Sequence, residues 1–435
     1  MIYEDLLAFW LAFLIWEFLT NSLNLSLSSP WKILLFLGKE FLFFSFLLIL
    51  RKKLYFKSGA FSIPIERLIL VLAFLLFTGD LIFFGFKTAL SGYYFGSILA
   101  LLWFAHYYLL IKLLLYPLTF GYVRILAGLL LPFFLLIGLD ESFEFLGFQF
   151  PGQFMLSLLF VLTLSPYIII KIWPVKRMLR GVLRGLITDF LGSLGIRLRD
   201  FLILPSVGPR FYTAGILGFI PPFRYLFFSS GLLEILDERE ILGVVAHEAG
   251  HLKGKHGFYL LLVLLSFPLL ILNAFYVFIL IFSLFFDNHH SLENFLKGPK
   301  VLYLEIALGV GFILLSYFFF RYIFAFFLRS LEREADLLAL RFLKDPQPLI
   351  SALYKIGEIT GQLYRKSWHH YGLWERINYL EYASIYPHVI DKHFNRTRRL
   401  LILWLALNIM PLAILLSLEV GLVGWLLKIF LPFVS

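Results

Sequence analysis

The chain has 435 residues, 60% hydrophobic and only 15% charged, with no cysteine and a formal charge of +10. A water-soluble globular protein sits at roughly 45–50% apolar and about 25% charged. The composition therefore excludes a soluble enzyme, a disordered chain and a disulfide-stapled secreted domain. The apolar residues fall in runs long enough to cross a bilayer, so the chain reads as a polytopic membrane protein. Without cysteine there is no disulfide partner, no thiolate nucleophile and no Cys-bound metal. The positive charge fits the basic bias of cytoplasmic loops, because Arg51, Lys52, Lys53 and Lys57, then Lys171, Lys176, Arg177, Arg180 and Arg184, cluster at the ends of apolar runs. No arginine and aromatic platform of the kind that stacks bases is present, so no nucleic-acid partner is expected.

The start (Met1, Ile2, Tyr3, Glu4, Asp5) lacks the positive charge of a signal peptide, so the first apolar run is expected to be an uncleaved span. Spans are expected at 5–27, 31–50, 65–86, 93–115, 122–139, 152–173, 258–286, 301–328 and 400–418. A short last run, 420–434, would cross, re-enter or lie flat. Lys39 and Glu40 interrupt the second span. The expected organisation is an N-terminal transmembrane region of about six spans (1–173), a charged segment (174–257), a transmembrane pair (258–328), a second charged segment (329–399) and a C-terminal transmembrane part (400–435). The inner loops 51–57 and 171–199 hold four and seven Lys or Arg, whereas 140–151 holds none and carries Asp140, Glu141 and Glu144. Alternation of the spans then puts the N-terminus and both charged segments on the cytoplasmic side of the bilayer (the cell membrane, for a bacterial chain). Asp80, His106, Lys112 and Arg321 fall in or near spans, where ionisable groups are functional candidates by default. Lys112 and Arg321 lie near inner span ends, where they can snorkel.

Leu236 to Ala246 opens like a helix, with acidic residues crowding the first turn where the helix dipole favours them. That helix continues as His247-Glu248-Ala249-Gly250-His251, an H-E-x-x-H. Histidines four apart share a helix face, so two imidazoles can grip one Zn²⁺. Glu248 can then take a proton from a water polarised by the metal. With 10 His and 18 Glu in the chain, chance would supply only about 0.01 such matches.

Catalytic zinc needs a third protein ligand. His256 follows at the wrong spacing for a metzincin, and if the helix simply continues it turns about 140° away from His251. The better candidate is Leu331-Glu332-Arg333-Glu334-Ala335-Asp336, where Glu332 and Asp336 share a face and Glu334 points almost oppositely. One carboxylate can bind zinc, and the other can accept the far N–H of a zinc-bound histidine. Two His and one Glu favour zinc over other divalent metals. A site-2 type protease would add an Asp-Gly pair, and the sequence has none.

Over residues 210–380 the chain resembles the integral-membrane zinc peptidases of the CAAX prenyl endopeptidase and HtpX family. Tyr212-Thr213-Ala214 and then Arg224 to Leu233 resemble the family's stretch before the zinc helix, with Thr213 standing where the family has asparagine. The resemblance implies an edge strand there, with Thr213 and Ala214 binding the substrate backbone. It maps the third ligand onto Glu332 and the carboxylate behind the zinc histidine onto Asp336. Trp368 to Ile377 resembles the family's His-Pro-x-x-x-x-Arg segment, placing His370 and Arg376 as oxyanion donors although Tyr371 replaces the proline. The length is closer to the prenyl endopeptidase type.

The expected protein is thus an all-α polytopic membrane protein with a small cytoplasmic zincin-like catalytic region and a short β-hairpin or edge strand. It is expected to be a zinc endopeptidase with one Zn²⁺ per chain, held by His247, His251 and Glu332, with Glu248 as general base. Its partners would be the lipid bilayer and polypeptide substrates that are membrane-bound or membrane-associated. The alternatives are a narrow prenyl-protein tail-processing protease, an inactive membrane chaperone or scaffold, and a transporter with a regulatory zinc. The last would show Gly/Pro-broken helices and midplane charge pairs, of which the sequence shows little.

Overall fold

A computed structural model describes residues 2–19, 31–55, 63–115, 120–148, 153–206, 211–218, 220–283, 285, 301–365 and 371–417. In chain order its elements are α1 (Ile2–Phe18), α2 (Trp31–Tyr55), α3 (Ile63–Phe83), α4 (Phe86–Ser91), α5 (Gly96–Leu115), α6 (Phe120–Phe145), α7 (Gln153–Ile172), β1 (Lys176–Arg177), α8 (Val182–Ser193), β2 (Asp200–Leu204), β3 (Ala214–Leu217) and β4 (Tyr225–Ser229). There follow α9 (Ser230–Ile235), α10 (Glu238–Lys253), α11 (His256–Ser283), α12 (Val301–Phe318), a π turn (Phe319–Phe324), α13 (Ala325–Leu343), α14 (Gln347–Thr360), α15 (Leu373–Ile385) and α16 (His388–Ser417). The protein is mostly helical with one small sheet, as its composition and periodicity suggest.

Six helices among the described residues are long and apolar enough to cross a membrane: Trp31–Lys52, Gly96–Leu114, Gly121–Phe145, Gln153–Ile172, His256–Phe282 and Ile306–Leu343. Leu7–Glu17 and Leu68–Phe83 are shorter apolar helices at the expected first and third spans. The run 420–434 lies outside the described residues.

The packing divides the chain into two compact units, Met1–Met178 with Leu198–Gly231, and Leu179–Arg197 with Leu232–Ser435. The charged segment expected at 174–257 is therefore shared between them.

In the first unit, α1, α3 and α5 close around the buried rings of Phe9, Phe77, Phe104 and Tyr107. Lys39 and Glu40, which interrupt the apolar run of α2, turn inward. Lys39 Nζ meets Asp80 of α3 and lies 2.8 Å from Glu40. Trp103 Nε1 donates to Asp80 at 2.9 Å, and the Tyr107 hydroxyl donates to Glu40 at 2.7 Å. His106 Nε2 lies 3.5 Å from Glu40. Burying a charge is costly unless it is paired, so these groups compensate one another across three helices, α2, α3 and α5. Lys112 does not snorkel: it is buried, with Nζ 5.4 Å from the centre of the Tyr108 ring. Arg321, on the π turn, is exposed.

The end of α7 is fixed by Arg124 of α6, which donates to the carbonyls of Ile172 and Trp173, the groups that a helix C-terminus leaves unpaired. The chain then enters a four-stranded sheet of order β1-β2-β4-β3. β2 and β4 are parallel, with Asp200 opposite Tyr225. β3 and β4 form an antiparallel pair in which Ala214 faces Phe228 and Leu217 faces Tyr225, leaving β3 at the edge of the sheet.

In the second unit α10 packs against α13 and α14. Its start is a capping box: Asp237 accepts from the Glu240 N–H at 2.9 Å, and the Glu240 carboxylate accepts from the Asp237 N–H at 2.9 Å. Glu240 is buried and also accepts from Ser351 at 2.5 Å and Lys355 at 2.8 Å, tying α10 to α14. A side chain at Gly243 would meet the backbone at Leu349 and Pro348 within 2.6 Å, so the two helices touch there main chain to main chain. Behind α10, Leu337, Leu349, Leu353, Ile377 and Leu380 fill one core.

Burial alone would raise the Glu240 pKa, but the bonds from Lys355, Ser351 and the Asp237 N–H outweigh it and hold the carboxyl below its ordinary value. A carboxyl depressed on folding adds stability above its unfolded pKa, and loses it as pH falls through the lower folded value. Glu240→Gln is therefore expected to lower the unfolding midpoint of the detergent-solubilised protein at neutral pH, by about 1 kcal/mol. The gap to wild type should stay flat at and above neutrality and close as pH drops below the usual glutamate range. A gap that widens on acidification would contradict the assignment.

Candidate active site

The site is built from two helices. α10 presents His247, Glu248 and His251 on successive turns, and α13 presents Glu332 and Asp336 one turn apart. His247 Nε2 and His251 Nε2 lie 3.3 Å apart with their rings nearly perpendicular. The Glu332 carboxylate lies 3.7 Å from His247 Nε2 and 3.5 Å from His251 Nε2. One donor atom from each of the three residues falls within 4.8 Å of the others. Two imidazoles and a carboxylate converging on one point suit a divalent cation of intermediate softness, and zinc in particular.

Small residues bring the helices this close. Ala246, Ala249, Ala335 and Ala339 are fully buried. At Gly250 a Cβ would meet the Ala335 carbonyl at 2.8 Å and its Cα at 3.0 Å. The two residues between Glu248 and His251 thus carry the helix contact. Sequence reasoning reads them only as spacers.

Asp336 stands behind His247. Its Oδ1 lies 2.8 Å from His247 Nδ1, on the side of the ring away from the cluster. Arg376 of α15 grips the same carboxylate with two donors, Nε to Oδ2 at 2.9 Å and Nη2 to Oδ1 at 2.6 Å, a two-point geometry that fixes orientation as well as charge. Burial alone would lower the Arg376 pKa. The Asp336 carboxylate outweighs it and raises the value above the ordinary range, with Glu332 and Glu248 adding to the effect. The site so holds three carboxylates, Glu248, Glu332 and Asp336, against one guanidinium, an imbalance that a divalent cation would offset.

The structure brings His247, Glu248, His251, Glu332, Asp336 and Arg376 into one unit. Arg376 differs in placement from its expected use, because two of its donors are engaged by Asp336 rather than aimed at a reacting oxygen. His370 lies outside the described residues. Thr213 and Ala214 belong to the other compact unit. The Thr213 N–H donates to Ser229 Oγ at 3.0 Å and its carbonyl accepts from the Ser229 N–H at 2.8 Å, which leads into Ala214 at the start of the edge strand.

His256 departs from the continuing-helix expectation. α10 ends at Lys253, Lys255 takes a left-handed conformation (φ 55°), and a new helix begins at His256. The break swings the imidazole back, so that it is buried with Nδ1 3.0 Å from His251 Nδ1. Glu334 falls on the other side of α13 from Glu332 and Asp336, and it is nearly fully buried there.

Residues 212–400 match the model of peptidase family M48. That stretch of the chain is similar to peptidase family M48. The matched region contains every site residue named above, and it coincides with the stretch whose motifs resemble the membrane zinc peptidases. Among curated relatives, the plastoglobule-localized metallopeptidase 48 of Arabidopsis thaliana chloroplasts is 36% identical over 78 residues, 18% of this chain and 22% of that protein. The chain thus aligns with about a fifth of that relative's length. Among solved structures, the crystal structure of S. mikatae Ste24p is similar at 18% identity and a TM-score of 0.42, over 78% of this chain and 81% of that one.

The contact at Gly250 makes a direct prediction. Gly250→Val is expected to destabilise the protein by about 1–3 kcal/mol through overpacking, and to weaken zinc binding at least tenfold by pushing Glu332 away. Gly185→Ala, in α8 of the same unit where a Cβ meets nothing within 4 Å, serves as the control and should bind zinc as wild type does. Equal zinc affinity in Gly250→Val would rule out the close approach as the determinant of the site.

Proposed function

We propose that this protein is an M48-type membrane zinc endopeptidase whose metal, one per chain, is held by His247, His251 and Glu332. The observation that carries the reading is the convergence of these three donors beside Glu248, on helices that lead directly into membrane-length ones. Bound there, zinc supplies Lewis acidity, polarising a peptide carbonyl and making water more acidic.

The protein's own groups do the rest. Glu248 takes the proton of the attacking water on its carboxylate and returns it to the nitrogen of the departing amine. Asp336 holds the His247 ring through Nδ1, and Arg376 holds Asp336, so the imidazole presents Nε2 to the metal in a fixed tautomer. The family resemblance assigns His370 as a donor to the oxyanion. The edge strand that starts at Ala214, next to Thr213, offers the main chain on which a substrate peptide pairs as a further strand. The distribution of Lys and Arg supports a cytoplasmic N-terminus and active site, in an integral membrane protein acting on membrane or membrane-associated polypeptides.

The test compares the detergent-purified full chain with Glu248→Gln on an unfolded model protein, with and without chelator, alongside metal analysis. Wild type is expected to cleave and to stop on chelation. Glu248→Gln should retain one zinc while losing about 10²–10⁴-fold in rate. His247→Ala and Glu332→Ala should lose the zinc. Equal cleavage by wild type and Glu248→Gln would rule out the assignment. Zinc bound without cleavage would shift the reading to a narrow tail-processing protease or a scaffold.

A further inference from the structure

The two zinc-binding histidines of the proposed site are supported differently. His247 has a carboxylate at its outer nitrogen, whereas the outer nitrogen of His251 meets a second imidazole, His256 Nδ1, at 3.0 Å. His256 is 1% exposed. Its other nitrogen, Nε2, points to Glu334 Oε1 at 4.0 Å, and Glu334 is likewise 1% exposed. His256 Nε2 and both Glu334 carboxylate oxygens are buried without a hydrogen-bond partner among the described residues. Arg398 of α16 lies 3.8 Å from Glu334 Oε1. The backbone is arranged around this ring: a Cβ on Gly254 would meet His256 Nε2 at 2.1 Å, and the left-handed Lys255 turns the chain so that the ring faces inward.

The proton positions along the row are determined by its ends. If His251 gives the lone pair of Nε2 to a metal, its Nδ1 carries hydrogen and donates. His256 Nδ1 must then accept, which places the hydrogen of the neutral His256 ring on Nε2, facing the Glu334 carboxylate. Each group has one compatible role, and reversing any one of them leaves two buried donors or two buried acceptors facing each other.

We infer that His256 and Glu334 form a buried positioning relay that fixes the tautomer and ring orientation of His251 for zinc binding. The inference rests on the zinc assignment above. It gives Glu332, Glu334 and Asp336 separate duties along one helix: the metal, the relay behind His251, and the contact behind His247. Neither His256 nor Glu334 touches substrate.

The test measures the full chain in detergent by competition with a chromogenic zinc chelator, and by the visible absorption of the Co(II)-substituted protein. His256→Phe keeps the ring but removes the acceptor, whereas His256→Asn places an oxygen near the Nδ1 position. Expected is a loss of zinc affinity of about 10–100-fold in His256→Phe, the range for removing an outer partner of a ligand, with a shifted Co(II) band. His256→Asn should recover most of the affinity and the wild-type band, a rescue that a mere packing role would not produce. Should His256→Phe fail to fold, Glu334→Leu against Glu334→Gln is read in the same way, with loss in the first and retention in the second. Wild-type affinity and spectrum in His256→Phe, or in Glu334→Leu where that pair is used, would overturn the relay while leaving the zinc site intact. Wild type that binds neither Zn(II) nor Co(II) would overturn the zinc assignment and the relay with it.

Discussion

The site depends on the main-chain contact between α10 and α13 at Gly250 and Ala335. An H-E-x-x-H helix supplies two imidazoles on one face from local geometry alone, but the third donor must arrive from a segment more than 80 positions later in the chain. Metal–ligand distances tolerate only about 0.2 Å, so the second helix has to come within a fixed, short distance of the first. The structure meets that requirement with small residues: Gly250 abuts Ala335, and Ala246, Ala249 and Ala339 are fully buried beside them on the same two helices. The capping box and the Glu240 contacts to Ser351 and Lys355 then hold the start of α10 against α14, while Arg376 holds Asp336 from α15. The candidate metal donors are positioned by the whole second unit rather than by their own helix.

The same closeness concentrates negative charge. α13 carries acids at 332, 334 and 336, and burying all three without partners would be prohibitive. Each has a separate partner: the histidine pair for Glu332, His247 and Arg376 for Asp336, and His256 and Arg398 for Glu334. Positions 332 and 336 face α10, and 334 falls on the other side of the helix. That side is buried because α11 and α16 also pack on α13. An acid that helical periodicity turns away from α10 is thus an interior group as well.

Much of this was legible in the sequence, and the rest fails for identifiable reasons. Fold class, the zinc helix and the Glu332–Asp336 pair follow from local spacing, which a helix converts reliably into a shared face. Lys39 and Glu40 looked like an interruption of α2 because a one-dimensional reading does not include Asp80 and Tyr107 opposite them. Continuing the helix turns His256 away from His251, whereas the observed break brings the two rings together. The structure stops α10 at Lys253 and turns the chain at the left-handed Lys255, and the spacing of the histidines does not predict the direction in which the chain restarts. Arg376 was legible as a site residue, yet its two-point grip on Asp336 is a tertiary fact with no local signature. Residues 198–231 pack with the N-terminal helices, and no charge or composition boundary marks that division.

The π turn at Phe319–Phe324 connects these observations. It lies between the apolar helix α12 and the ligand-bearing helix α13, so that Val301–Leu343 runs as one rod from a membrane-length segment into the site. A π turn adds a residue to one turn of helix, which rotates everything beyond it by about 100° relative to an uninterrupted α-helix. Without it, the face of α12 chosen by its apolar neighbours would dictate which way Glu332 and Asp336 point. With it, the two parts of the rod are phased separately, the first for its apolar packing and the second for α10. The break at Gly254–Lys255 does the same on the other side, separating the phase of the zinc helix from that of α11. Both ligand helices therefore stay attached to membrane-length helices while their faces are set by the chemistry of the site.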